Sequence, residues 1–188
     1  MDCVKNIIIF FGKIIQSIVS MGDDPANEII PRLWLGNRQA SQNEFWLRQN
    51  DITVVFNATK DIPFVSGISS MYRVPVDDNL QEDEIRNMGL WSWEIVFKII
   101  KEYKQRKTIL IHCAAGMQRS AAIVAMVLIA MFRCSTDEAI AYIKKKRSIA
   151  FYGQANFYKS IKGFEKSFFD MIVKEKQYSK YPKLPLPP

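Results

Sequence analysis

Residues 108 to 132 restrict the architecture more than any other stretch of the chain. Thr108-Ile109-Leu110-Ile111-His112 is β-branched and apolar, and reads as a short buried strand. From Ser120 to Phe132 the sequence is apolar nearly all round and rich in helix formers, which predicts a buried helix of about three turns or more. A buried strand running through a loop into a buried helix points to an α/β domain, and the rest of the chain agrees. Arg32 to Gly36, Thr53 to Phe56 and Met71 to Val76 read as further strands, with an amphipathic helix over Gln39 to Gln49 between the first two. Glu82 to Gln105 reads as a long helix. Ser135 or Thr136 caps another that runs toward Lys146, and a last one spans Gln154 to Val173. With 188 residues and 48% hydrophobic content, the chain can bury one sizeable core and is too short for two good ones.

The loop between that strand and helix carries chemistry. His112-Cys113-Ala114-Ala115-Gly116-Met117-Gln118-Arg119-Ser120 puts a thiol, a phosphate-sized loop and a fixed cation within nine residues. A helix N-terminus presents unpaired N–H groups and the positive end of its dipole, and a loop curled above it adds its own amides, so residues 114 to 119 form a cradle for a phosphoryl dianion. Gly116 can adopt the angles that let those amides converge. Arg119 can hold two phosphoryl oxygens with its planar fork. The same positive surroundings depress the Cys113 pKa toward the nucleophilic thiolate, and the Ser120 hydroxyl is placed to hydrogen-bond the sulfur and ease its departure. The pattern predicts phosphate-ester chemistry at Cys113. A lone buried cysteine would be inert packing; the full pattern in its strand–helix context is what argues otherwise.

The His-Cys-x5-Arg-Ser signature resembles that of the protein tyrosine phosphatase superfamily, and His-Cys-Ala-Ala-Gly is most similar to its small dual-specificity phosphatases, the poxviral ones in particular. The resemblance covers about Ile29 to Phe169, including Arg32-Leu33-Trp34-Leu35-Gly36 and Asn156-Phe157. It implies a single-domain cysteine phosphatase fold, α/β with a central mixed sheet flanked by helices. The implied reaction is dephosphorylation of phosphotyrosine and phosphoserine/phosphothreonine in phosphoproteins through a cysteinyl-phosphate, with no metal and no cofactor. His112 is the only histidine, which leaves no cluster for a zinc site. Thiolate attack also requires an acid to protonate the leaving oxygen. In the family this acid follows the strand ending at Val76, which places it at Asp78, with Asp77 as the alternative. An ionised Cys113 and a protonated acid together imply a bell-shaped kcat/KM that favours mildly acidic pH. Met117 and Gln118 at the loop crown are neutral, whereas phosphoinositide phosphatases of the superfamily carry lysines there. The alternatives are an RNA 5′-triphosphatase using the same cysteine chemistry and a catalytically weak phospho-binding module. Asn156 matches a family asparagine, which implies a role bracing the loop, Arg147 matches a family arginine, and Ala121 departs from a frequent glycine.

Outside the signature the sequence is less specific. The net charge of +7, from 26 basic and 19 acidic residues, suits anionic partners, including nucleic acid and membrane surfaces, and selects neither. Lys144-Lys145-Lys146-Arg147 reads as the solvated end of a helix, where cations suit the dipole. Cys3, Cys113 and Cys134 are an odd, widely spaced set, which favours a reducing, cytoplasmic setting over a disulfide framework. In residues 1–21, Val4, Ile7, Ile8, Phe11, Ile14, Ile15 and Ile18 recur at helical spacing, giving an amphipathic helix; Lys13 breaks an apolar run already too short to cross a bilayer, so it reads as neither a membrane span nor a signal peptide. Such a helix can pack on its own domain, attach to a membrane surface or pair with a second copy; the resemblance implies a homodimer. Residues 22–28 then read as a hinge, 29–173 as the phosphatase domain and 174–188 as a basic, Pro-rich flexible tail.

Overall fold

β5 (Thr108–His112) occupies the middle of a five-stranded sheet of order β1-β2-β5-β3-β4. The computed structural model describes residues 24–174 and 183–188; the helix expected over residues 1–21 lies outside them. β5 pairs in parallel with β2 (Leu33–Gly36) on one side and with β3 (Ile52–Asn57) on the other. β3 pairs in parallel with β4 (Ser70–Arg73), and the edge strand β1 (Ala26–Ile30) runs antiparallel to β2, so the sheet is mixed. The pleat sends alternate β5 side chains to opposite faces. Ile109 and Ile111 join the larger core with the long helices, whereas Leu110 packs with Ala40, Leu47, Ile52 and Val55 on the other face.

The helix after the loop, α4 (Arg119–Phe132), is buried at every position from Ser120 to Ile129, as its uniformly apolar sequence demands. It is enclosed by α3 (Glu82–Lys104), α5 (Thr136–Lys146) and α6 (Tyr158–Lys174) and sits against β5 and β2. Ser135 is the α5 N-cap: its hydroxyl accepts from the Glu138 amide at 3.3 Å while Glu138 Oε2 accepts from the Ser135 amide at 2.8 Å, a reciprocal capping box.

Several boundaries differ from the sequence-based expectation, each for a local reason. The single helix expected over Gln39 to Gln49 is two, α1 (Arg38–Gln42) and α2 (Glu44–Gln49), because Asn43 leaves helical geometry and its side chain accepts from the Trp46 amide. β4 stops at Arg73; Val74 still donates to Asn57 O at 2.9 Å, but Pro75 has no N–H to continue the ladder. Ala26, Asn27 and Glu28, read as hinge, belong to β1 and pair with Gly36, Leu35 and Trp34. The last helix begins at Tyr158 instead of Gln154. The flexible-tail reading also needs correction for residues 183–188: the Leu184 amide donates to Phe132 O at 3.0 Å, Lys146 Nζ donates to Pro188 O at 2.6 Å, and Leu186 packs on the core.

Candidate active site

The cysteine loop springs from the end of β5, where two neighbouring strands grip it. Ala58 N donates to His112 O at 2.8 Å, and Cys113 N approaches Gly36 O at 3.4 Å. From the β2–α1 junction the Arg38 amide donates to Ala114 O at 3.0 Å. Gly116 is in the left-handed region at φ +67°, and a Cβ there would lie 2.6 Å from Gly36 O; only glycine meets both demands. Ala114 and Ala115 are exposed, Met117 is half-buried, and no side chain caps α4 at Gln118, so the helix's first amides are left facing the loop.

Cys113 lies at the floor and is 2% exposed. Its Sγ accepts from the Gly116 amide at 3.3 Å and from the Ser120 hydroxyl at 3.2 Å. Burial alone would push this thiol up, but the Ser120 hydroxyl and amide, the Arg119 guanidinium and the Met117 amide outweigh it and bring the pKa below its ordinary value. Such an arrangement makes a nucleophilic thiolate. His112 is fully buried, its pKa pushed down to about 4 by burial; neutral at physiological pH, it contributes Nδ1 3.4 Å from Cys113 O.

Arg119 opens α4 and reaches across the loop mouth. Its Nη1 donates to Val76 O at 3.1 Å, and its buried Nε has no hydrogen-bond partner among the described residues. The guanidinium therefore links the cradle to the segment that precedes both candidate acids. Asp78 is exposed and its Oδ1 accepts from Asn156 Nδ2 at 2.8 Å. Asp77 is turned to Lys60, whose Nζ donates to its Oδ2 at 2.8 Å. A surface groove of about 350 Å³ between α3 and α6, lined by Ile85, Gly89, Trp93, Gly163 and Phe164, shares no residue with the cysteine loop.

Residues 33–167 match the model of the dual specificity phosphatase catalytic domain. This chain belongs to that family. It is 31% identical over 123 residues to mouse dual specificity protein phosphatase 2, covering 65% of this chain and 37% of the relative. To human dual specificity protein phosphatase 16 it is 34% identical over 121 residues, covering 63% of this chain and 18% of the relative. The chain thus spans well under half the length of these relatives. In fold it is similar to human DUSP28, with a TM-score of 0.69 at 22% identity, covering 78% of this chain and 96% of that one. A mouse putative dual specificity phosphatase complexed with zinc tungstate gives a TM-score of 0.70 at 23% identity, covering 79% and 91%.

Two residues of this phosphatase domain behave differently from their sequence reading. Gln118 was expected at the loop crown as a neutral lining group. Its side chain is buried and turned away: Nε2 donates to Gln154 O at 2.8 Å and Tyr152 O at 3.3 Å, and Oε1 accepts from the Asn156 amide at 3.0 Å. It therefore fixes the loop before α6, and through Asn156 the Asp78 side chain. Arg147, read as part of a solvated basic run, is 2% exposed. Its Nε donates to Gly116 O at 2.9 Å, its Nη1 to Asp24 O at 2.7 Å and Asn27 Oδ1 at 2.6 Å, and its Nη2 lies 3.5 Å from Ala115 O. It clamps the cradle from behind, turning carbonyl oxygens back so that amides face the anion site. The departure from the family's frequent glycine at Ala121 is accommodated, since Ala121 is fully buried within α4.

Proposed function

We propose that this protein removes phosphate from phosphotyrosine and from phosphoserine and phosphothreonine in proteins, by way of a cysteinyl-phosphate. The carrying observation is the Cys113 sulfur, its pKa lowered, receiving hydrogen bonds from Gly116 and Ser120 at the floor of an amide-lined loop. In the first step Sγ attacks phosphorus, the bond to the ester oxygen breaks, and that oxygen leaves with a proton from Asp78. Amides of residues 114 to 119 and the Arg119 fork hold the equatorial oxygens. In the second step water attacks the phosphocysteine, Asp78 takes its proton, and the thiolate departs toward the Ser120 hydroxyl. Asp78 is preferred over Asp77 because the Asp77 carboxylate is already paired with Lys60. His112 and Asn156 support the loop and the acid without touching phosphate.

Relatives named dual specificity protein phosphatases favour protein substrates over a 5′-triphosphate end of RNA. Assaying phosphotyrosine and phosphothreonine peptides beside triphosphate-ended RNA tests the choice: peptide turnover that is lost in Cys113→Ser is expected, and turnover of RNA alone would replace this reading. Among the described residues no single helix is long and apolar enough to cross a membrane. The free-thiol mechanism favours a reducing cytoplasmic compartment, that of a host cell or a virion for a viral source. The reading extends to a homodimer made through residues 1–21. Deleting residues 1–20 then converts a dimer to a monomer on sizing with light scattering, and an unchanged mass ends that part of the proposal.

A further inference from the structure

The segment carrying Asp78 is fastened by side chains outside the cysteine signature. Glu84 is the third residue of α3, a position from which glutamate commonly turns back to the amide that opens its own helix. Here the Gln81 amide donates to Asn79 Oδ1 at 3.1 Å instead. Glu84 reaches further back: its Oε2 accepts from the Asp77 amide at 3.0 Å. Its Oε1 accepts from Lys60 Nζ at 2.6 Å, and the same ammonium donates to Asp77 Oδ2 at 2.8 Å. The Glu84 side chain is 13% exposed, against 45% for Lys60. Its contacts are thus the more shielded ones, where a charged hydrogen bond is strongest. The Lys60 hydrogen bond, followed by the Asp77 amide, lowers the Glu84 pKa and keeps it an acceptor.

Lys60 follows closely on the end of β3, where Ala58 bonds to His112 O beside the nucleophile. The pair therefore ties three parts together: the sheet end that holds Cys113, the acid segment, and the first turn of α3. Residues on either side of Asp77 have their own tethers, Val76 O to Arg119 and Asp78 Oδ1 to Asn156. Asp77 is the middle anchor.

We infer that Glu84, together with Lys60, is a positioning residue for the proton donor: it pins the main chain at Asp77 so that the adjacent Asp78 carboxyl faces the leaving oxygen. The inference rests on the phosphatase reading above. It makes a demand that a merely structural role does not, because a proton donor matters in proportion to how poorly the departing group carries charge. Phenyl phosphate releases a weakly acidic phenol and needs the proton; 2,4-dinitrophenyl phosphate releases a stable phenolate and does not. Since general acids contribute about 10²–10⁴-fold, Glu84→Ala should lower kcat/KM, which reports the steps through cleavage of the ester bond and not the later hydrolysis of the phosphocysteine, about tenfold on phenyl phosphate and less than about twofold on the dinitrophenyl ester. Asp78→Asn should show the same split more strongly. Adding Glu84→Ala to Asp78→Asn should then cost nothing further on phenyl phosphate, since both act through one group. Glu84→Gln, which keeps an acceptor for the Asp77 amide, should retain the split with a smaller loss, and supplies the test if the alanine variant does not fold. Equal losses on both esters, no loss on either, or losses that simply multiply with Asp78→Asn would overturn the inference. A wild-type protein that hydrolyses neither ester would instead overturn the phosphatase reading itself.

Discussion

Replacing Arg147 by methionine tests whether the cradle is held open from behind. The change keeps most of the stem volume and removes every donor, leaving Gly116 O, Asp24 O and Asn27 Oδ1 without bonds of 2.9, 2.7 and 2.6 Å. Hydrogen bonds to a charged group contribute about 1.5–3 kcal/mol each, which for these three gives a gross loss of roughly 5–9 kcal/mol. Part of this is offset because the variant no longer buries a cation, so a net destabilisation of about 3–5 kcal/mol is the reasonable expectation. For a chain of this size that corresponds to a Tm lower by roughly 6–20 °C. Differential scanning calorimetry of both proteins reads it directly. At a temperature where both remain folded, kcat/KM on para-nitrophenyl phosphate should fall about tenfold or more, since the Gly116 peptide sets the direction of the loop amides. Arg147→Lys should recover only part of either quantity, as one ammonium cannot span the same acceptors. A methionine variant melting within about 2 °C of wild type, with unchanged kcat/KM, would refute the reasoning.

Gly116→Ala should be folded poorly or inactive, because its Cβ would lie 2.6 Å from Gly36 O and 3.0 Å from Arg147 Nη2 at a positive φ; an active, wild-type-like alanine variant would contradict the tight approach. The thiolate is the reactive form and the Cys113 pKa is lowered, so the ascending limb of kcat/KM should lie below the pH range of an ordinary thiol, with activity lost as pH falls through that value. Ser120→Ala removes a hydroxyl that stabilises the thiolate and should move this limb to higher pH; an unmoved limb would deny the hydroxyl that role. Iodoacetamide near pH 6, followed by peptide mass mapping, should label Cys113 and spare Cys134, whose thiol burial pushes up to about 11; preferential labelling of Cys134 would reverse the assignment. Gln118→Ala should loosen residues 152–156 and lower kcat through Asn156 and Asp78, an effect absent if that loop only packs.

The cysteine loop was legible in the sequence because its strand, its glycine and its helix are consecutive, and apolar runs of that kind have one way to be buried. Asp78 was reachable through the strand before it and the family pattern, whereas the pairing that occupies Asp77 was not, because Lys60 is 17 residues from it in sequence. Arg147 was misread for a related reason. In a run of four cations nothing local distinguishes the one whose partners, Asp24 and Asn27, lie 123 and 120 residues away. The Asn43 break was hidden because the apolar stripe continues across it, while β1 shows no clean alternation in Ala-Asn-Glu-Ile-Ile. Gln118 looked like lining because the motif fixes its main chain, not the direction of its side chain.

The burial of α4 on all sides has a consequence for how activity fails. Cys113 and Arg119 adjoin segments, β5 and α4, that are sealed from water almost throughout, and such segments open only when the whole domain does. Asp78 sits in an exposed stretch held by a handful of side-chain contacts, the kind that opens at far lower cost. Warming or mild denaturant should therefore silence the two halves of the chemistry in sequence. The proton donor drifts first, while the sulfur can still accept a phosphoryl group from an ester that needs no help to leave; the nucleophile goes only with the fold.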